Sequence, residues 1–509
     1  MPDVPVLIVG AGPTGLVLAL WLTKRGVKVR LIDKVAESGT TSRALAVQVR
    51  TLEFYRQLGF AQEVVDRGHN VAALNMWVKG TRVASVTLRM MGEGLSPFDF
   101  ALIFPQDEHE RFLIAQLRAL GVEVEREVEL IAFADDDNEV RATLRRRDGA
   151  QDICTASYLA GCDGARSTTR EVLGVGFPGG TYDHLFYVAD VEATGPPMNG
   201  ELHVALDEAD FLAVFPLKGE GRGRLIGTVR DGAATESRQL KFEDVQNNAI
   251  KNLKINVQRI NWFSTYQVHH RVAHGFARGR AFLLGDAAHI HSPVGGQGMN
   301  TGIGDAVNLA WKLAAVLQEK SSAILLDSYE LERIAFAKRL VATTDRLFAG
   351  IINPSALARF VRTKAVPEIV PVLFRLGLVR RFMFRTVSQI GINYRGSPLS
   401  SGSAGAVHGG DRLPWVPGSV TGGNFAPLAT LQWQVHVYGA PNAALAQFCV
   451  ARGLGFHQFP WQAGCHEAGF MENSLYLVRP DGYVALADPL ASTRKLTEYF
   501  EGRAIHAQT

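Results

Sequence analysis

Apolar positions recur along this chain with two different periods, and the switches between them predict its elements. Residues 4–9 form an unbroken apolar β-type run, residues 16–22 show helical apolar density, and residues 27–32 form a second β-type run closing on Asp33. A helical stretch over 47–58 ends at Gly59, and strand-like segments follow at 73–78 and 82–88. Another helix opens near Gln106 and ends at Gly121. Residues 122–163 then read as three antiparallel strands joined by turns at 135–138 and 148–149. Between 178 and 278 alternating apolar patterns, Gly and Pro predict a separate antiparallel sheet with one helix at 242–253. The run 281–284 reads as a buried strand, and helical patterns occupy 303–317 and 325–352.

Composition adds mainly exclusions. With 509 residues, 47% apolar, 20% charged and 9% aromatic, the chain is of ordinary globular type and long enough for two to four domains. A net charge of +3 gives no argument for nucleic acid. Cys154, Cys162, Cys449 and Cys465 form no CxxC pair and no zinc spacing, so no metal is expected and a reduced, cytoplasmic setting is the simplest reading. Residues 4–22 carry no charge, but Gly10, Gly12, Pro13 and Gly15 interrupt them and no basic stretch precedes them. They read as strand, turn and helix rather than as a signal or membrane segment.

Three stretches carry chemistry. Gly10-Ala11-Gly12-Pro13-Thr14-Gly15 stands between the first strand and the first helix, and Asp33 follows the third glycine by eighteen residues. That is the strand–GxGxxG–helix–strand–acid arrangement of dinucleotide sites, where a helix N-terminus faces a pyrophosphate and the acid accepts ribose hydroxyls. Arg43, in the loop after the second strand, could reach the same phosphates. The second stretch is Cys162-Asp163-Gly164-Ala165-Arg166-Ser167, an acid delivered at a strand tip. The third is 279–308, GRAFLLGDAAHIHSPVGGQGMNTGIGDAVN. There Asp286 ends a strand, and Gly295, Gly296 and Gly298 precede a helix whose free amides suit an electron-rich ring edge.

Taken together these stretches resemble the single-component FAD-dependent aromatic hydroxylases, the para-hydroxybenzoate and phenol hydroxylase group, over about residues 1–395. LVRPDGYVA at 477–485 resembles the subgroup with a C-terminal thioredoxin-like domain, although Leu486-Ala487 stands where relatives often carry Trp-Arg. The resemblance implies an α/β chain with a Rossmann-like FAD-binding domain of glutathione-reductase type over 1–177 and 279–396. A substrate-binding antiparallel sheet would be inserted at 178–278. A linker at 397–425 would lead to a thioredoxin-like domain at 426–509. It implies that Gly10, Gly12 and Gly15 hold the FAD pyrophosphate, Asp33 the ribose, and Arg43 and Gln106 the phosphate and ribityl region. It further assigns Asp163 to FAD and nicotinamide, Asp286 to the ribityl chain, and the amides of Gly298, Met299 and Asn300 to the flavin pyrimidine edge. Pro293 would lie near the substrate. NAD(P)H would reduce FAD, and a C4a-hydroperoxyflavin formed with O2 would hydroxylate an electron-rich ring. No second GxGxxG exists for the nicotinamide, as expected of a transiently docking reductant.

Substrate chemistry is less legible. A phenol of pKa near 10 is only ~0.1% ionised at pH 7, a deficit of about 4 kcal/mol, so a base or relay would help. Candidates are Tyr182, His184, His203, Tyr266 and His269, each of which also reads as a packing or surface residue. The resemblance implies that Phe211, Phe215 and Leu217 wall the cleft, and this stretch supplies no cation for a carboxylate, which favours a phenolic or polycyclic aromatic substrate. A Baeyer–Villiger-type oxygenase or a non-catalytic flavin-binding protein are the alternatives, and either a monomer or a homodimer is compatible. Residues 354–395 carry eight Lys/Arg against Glu368, interleaved with Phe, Val and Leu. A basic amphipathic helix can touch a membrane surface; the plainer reading is a helix lying across the nucleotide domain with a solvated basic face.

Overall fold

Val6, Leu7 and Ile8 are fully buried, as a strand covered on both faces requires, and everything else in the first half of the chain is arranged around it. The computed structural model describes residues 2–506 apart from 40–43, 137, 207–210, 230–239, 246–247, 293, 353–354, 419–421 and 441–442, and no side chain at 183–184, 294 or 347–352. Val4–Val9 lies between Val29–Asp33 and Gln151–Gly161, and Val124–Arg126 and Ala281–Leu283 extend the sheet on either side. All four pairings are parallel. Their register brings Val9 beside Ile32 and Gly161, and Gly161 beside Leu283. The three motifs therefore emerge at one edge, the carboxyl end of the strands, where open α/β sheets bind ligands. The long strand Gln151–Gly161 also pairs antiparallel with Val140–Arg146, which pairs with Val128–Asp135.

A second sheet runs in the order His289–Ile290, Asn256–Val272, Gly179–Thr194, Arg222–Thr228, Phe211–Pro216, Leu202–Leu206, Ala73–Val78, Thr81–Thr87. The boundary expected at 178–278 is thus too narrow. The hairpin 73–87 belongs to this sheet because Ala73–Val78 pairs in parallel with Leu202–Leu206, a contact that local patterning cannot reveal. One face packs Tyr187, Leu212, Val214 and Leu225 against Phe242, Val245 and Ile250. The single helix expected at 242–253 is a short turn, Phe242–Val245, and a helix, Asn248–Asn252. The other face looks toward the nucleotide domain.

The third sheet follows the order Val407–His408, Ser401–Ala404, Val484–Asp488, Leu475–Val478, Gln434–Tyr438, Gly455–Phe459. Its core reads strand, helix, parallel strand, helix, antiparallel hairpin, helix. The stretch 397–425 is not a linker. Ser401–Ala404 pairs with Val484–Asp488, and Leu413, Val416 and Phe425 are buried. Its small residues serve close packing: a Cβ on Gly409 would collide with the backbone of Ser401 and Ala485. The described part of 354–395 forms several short helices rather than one, including Ala356–Phe360, Val366–Arg375 and Gly377–Val387.

A buried charge network joins this sheet to the nucleotide domain. Arg479 donates to Glu332 at 2.6 and 3.0 Å and to Asp481 at 2.6 Å; Lys312 donates to Glu332 at 2.9 Å, and Trp311 Nε1 to Asp481 at 3.1 Å. Burial raises the Glu332 carboxyl, but Arg479 and Lys312 outweigh it and hold the group well below its ordinary value. Removing one partner from such a cluster strands a buried charge, at about 3–5 kcal/mol. Arg479→Met is accordingly expected to lower unfolding free energy in urea by about that amount. Because the Glu332 pKa is depressed on folding, its contribution is complete above about pH 4.5, its ordinary value, and declines as pH falls below it. Urea midpoints of both proteins between neutral and acid pH would show the difference shrinking in acid.

Candidate active site

The three glycines of the first motif have different tasks. A Cβ on Gly10, whose φ is +103°, would run into the Cys162 carbonyl, and one on Gly15 would run into the Gly10 carbonyl. These two let strand ends and helix meet backbone to backbone. Gly12, with φ −76°, has no described atom within 4 Å of a built Cβ and opens onto solvent at the N-terminus of the helix Pro13–Lys24. It borders a cavity of about 260 Å³ also lined by Gly10, Asp33, Gln106, Asp163 and Gly164. Five of the expected cofactor positions are thus brought together, with Gly15 buried beneath them. Arg43 lies outside the described residues.

The acids in this cleft are partly engaged by the chain itself. Asp33 accepts from Ala11 N at 2.7 Å and Val35 N at 3.0 Å, with Arg126 Nη1 3.7 Å away. Asp163 accepts from Ser167 Oγ at 2.6 Å and from Thr169 N and Oγ1 at 2.9 and 3.0 Å, so it organises the turn into the helix Thr168–Leu173. Gln106 accepts from Ala44 N at 3.2 Å and donates to Glu110 at 2.8 Å. Cys162 lies under the loop, and burial pushes its thiol well above the ordinary value.

The third motif closes over the same helix start. Thr14 Oγ1 sits where a Cβ on Gly285 or Gly302 would be. Asp286 is exposed in a turn whose neighbours Gly285 and Ala287 are buried. That turn is fixed by Asp305, which sequence reading missed. Its carboxylate accepts from Gly285 N at 3.0 Å, His289 Nε2 at 2.7 Å and Arg333 Nε at 2.6 Å. Burial raises Asp305, yet Arg333 and His289 outweigh it and keep it ionised. Its one sequence signal is an acid inside an otherwise apolar helical run.

The helix Gly298–Leu317 follows, and Thr301 N is the first amide to find an acceptor in its own turn, Gln297 O at 2.9 Å. The amides of Gly298, Met299 and Asn300 precede it and have no acceptor within the helix. The Asn300 side chain is consumed in holding this end: it accepts from Gln48 N and Thr51 Oγ1 and donates to Ala46 O and Gly296 O, all at 2.8 Å. The donor set fits a dinucleotide with a ring system. An open glycine at a helix N-terminus leaves room for a phosphate, a carboxylate at the strand tip can accept ribose hydroxyls, and three amides without an acceptor in the helix suit a ring edge. Pro293 lies outside the described residues.

Over this floor the second sheet presents one continuous face. Phe186 lies beside Tyr266, Val188 beside Ile226, and Asp190 beside Arg224 and Trp262. Phe211, Tyr182 and Tyr266 each pack against Phe186 and Val268, whereas Phe215 and Leu217 join Leu45, Val71 and Ile103. A cation does stand opposite Phe215. Arg224 is fully buried, but it is paired with Asp190 through 2.5 and 2.7 Å bonds and reaches Ala44 O at 3.4 Å. His203 is on the opposite face. It accepts from Trp77 Nε1 at 2.9 Å, bonds Asn199 Oδ1 at 2.8 Å, and burial lowers it to about 4, so it is a neutral packing residue remote from the cleft. His269 is held at 2.7 Å by Thr181 Oγ1, and the His184 side chain lies outside the described residues.

Comparison with known proteins identifies the cofactor. A model of the family described as FAD binding domain matches residues 3–344. This chain belongs to that family. Its relatives are flavin-dependent aromatic monooxygenases. The 6-methylpretetramide 4-monooxygenase of Streptomyces rimosus is 35% identical over 410 residues, 80% of this chain and 73% of that protein. Pentachlorophenol 4-monooxygenase of Sphingobium chlorophenolicum is 31% identical over 69% of this chain and 65% of its own length. The solved anhydrotetracycline hydroxylase of Streptomyces rimosus superposes with a TM-score of 0.79 at 27% identity, covering 98% of this chain and 99% of that one. The chain is thus an FAD-dependent aromatic monooxygenase with the mixed α/β fold of its relatives, and NAD(P)H is the reductant typical of the family.

The glycine geometry separates folding from cofactor binding in this flavoprotein. Gly12→Ala keeps an accessible backbone and meets no atom, but places a methyl group in the cleft. It is expected to weaken FAD binding about tenfold with the apoprotein melting temperature unchanged. Gly10→Ala is expected to lower that temperature in the apoprotein as well, which thermal melts with and without FAD would register.

Proposed function

We propose that this monooxygenase hydroxylates an apolar phenol or polycyclic aromatic, held between the sheet face around Phe211 and the helix start at Gly298. The observation that carries this reading is the apolar face itself: Phe186, Phe211, Val268, Tyr182 and Tyr266 cluster there, and the neighbouring cation Arg224 is already matched by Asp190. A benzoate-type carboxylate would find no unmatched partner in Arg224. Polycyclic and chlorinated phenolic substrates named for the relatives support the same class.

In this reading Gly10, Gly12 and Gly15 let the pyrophosphate approach the helix N-terminus, and Asp33 receives the ribose. Gln106 flanks the phosphate and ribityl region, Asp163 shapes the adjoining turn, and Asp286 receives the ribityl chain. The amides of Gly298, Met299 and Asn300 stabilise negative charge on the ring edge. Bound FAD supplies reduction by NAD(P)H and activation of O2, one oxygen atom ending in the ring hydroxyl and the other in water. The chain's own part is to orient the aromatic, exclude water and assist loss of the phenolic proton. Tyr182 and Tyr266 are the side chains we assign to that assistance, because both join Phe211 in packing against Phe186 and Val268; His269 and His184 stand on the same strands. Phe215 and Leu217 complete the walls. The last sheet we read as a thioredoxin-like domain, supported by its strand order and by its βαβ-then-hairpin sequence of elements. A cytoplasmic location fits four free, buried cysteines, and among the described residues no helix is long and apolar enough to cross a membrane.

Mass spectrometry of products from a phenol panel under labelled O2 tests the proposal. Polycyclic phenols are expected to gain one labelled oxygen, with Tyr266→Phe lowering kcat on phenols about tenfold or more. A preference for carboxylated phenols would sink the substrate assignment, and absence of labelled product across the panel would favour a non-catalytic flavin-binding role.

A further inference from the structure

The helices of 356–387 differ from a solvated basic face in one respect: their outward residues are largely apolar. Leu378 is 85% and Phe382 68% exposed, one helical turn apart on Gly377–Val387, with Arg381 and Arg385 beside them on the same stripe. On Val366–Arg375 the outward positions are Ile369, Val372 and Leu373, leading to the exposed Leu376. This arm is anchored from its inner side. Phe384 is buried against Gly92, Ser388 O accepts from Arg50 N at 3.1 Å, and Val366–Arg375 packs on the edge strand Thr81–Thr87. The exposed stripe is therefore held outward by a packed base.

Charge says what covers it. Seven Arg/Lys against Glu368 make 356–387 six charges positive, whereas the whole chain is +3, so the remainder is net negative. A second copy applied symmetrically would face like charge with like. We propose that this arm docks on an anionic lipid surface, its apolar side chains entering the headgroup boundary and its cations pairing with lipid phosphates. Among the described residues no helix can span a bilayer, so contact would be interfacial.

The test is cosedimentation of the FAD-loaded full chain with vesicles of phosphatidylcholine, alone or mixed with phosphatidylglycerol. Binding is expected only to the anionic vesicles, with release by salt. Arg375→Gln with Arg381→Gln is expected to reduce partitioning about thirtyfold, each cation near such a surface counting for about fivefold. Leu378→Ser with Phe382→Ser is expected to abolish binding while visible flavin absorbance and turnover of a soluble phenol stay at parent levels. Absence of binding at low salt, equal binding to neutral vesicles, or unaltered binding by both variants would overturn the proposal. So would a dimer in sedimentation that the Leu378→Ser, Phe382→Ser variant loses, or binding to soluble polyglutamate as strong as to vesicles.

Discussion

No side chain fits between the end of the first strand and the end of Gln151–Gly161, and on that exclusion the catalytic half of the molecule depends. Gly10 lies against the Cys162 carbonyl, Gly15 against Gly10, and Thr14 fills the space left by Gly285 and Gly302. Motifs separated by more than a hundred residues thus meet at backbone distance. Hydrogen bonds then fix what contact has assembled: Asp305 holds the Gly285 turn, and Asn300 holds the helix start to 46–51. Rigid placement of amides and carboxylates is what allows them to act without reorganising when a ligand arrives.

The C-terminal sheet is bound to this assembly by charge rather than by a flexible tether. Glu332 lies on the helix Asp327–Ile352 and Lys312 on Gly298–Leu317, the helix that begins at the proposed flavin edge. Arg479 and Asp481 reach both from a hairpin turn of the third sheet. Buried ion clusters are poor sources of net stability compared with apolar packing, but they admit few alternative geometries. This one therefore specifies a docking register more than it adds strength.

Local order was legible and non-local pairing was not. The strand–GxGxxG–helix–strand–acid sequence could be read because each element adjoins the next, and the strand tips at Asp163 and Asp286 could be read from apolar runs ending in an acid. Arg126 was invisible because its approach to Asp33 depends on parallel pairing across ninety residues of intervening chain. The hairpin 73–87 likewise joins the second sheet through a parallel pairing with the distant strand Leu202–Leu206. His203 shows how register defeats inspection: it pairs with Val214 rather than Ala213, and that single step turns it away from the cleft. Small-residue composition at 397–425 reads as flexibility in sequence but reflects close backbone packing in the fold.

The buried thiols have a consequence for the durability of the enzyme. Cys162 lies beneath the loop 10–15, and Cys154, Cys449 and Cys465 are likewise enclosed, each with its acidity weakened by desolvation. Only the thiolate readily attacks a peroxide and is oxidised by it. Stray oxidant escaping an oxygen-activating centre accordingly meets protonated, shielded sulfur at all four cysteines.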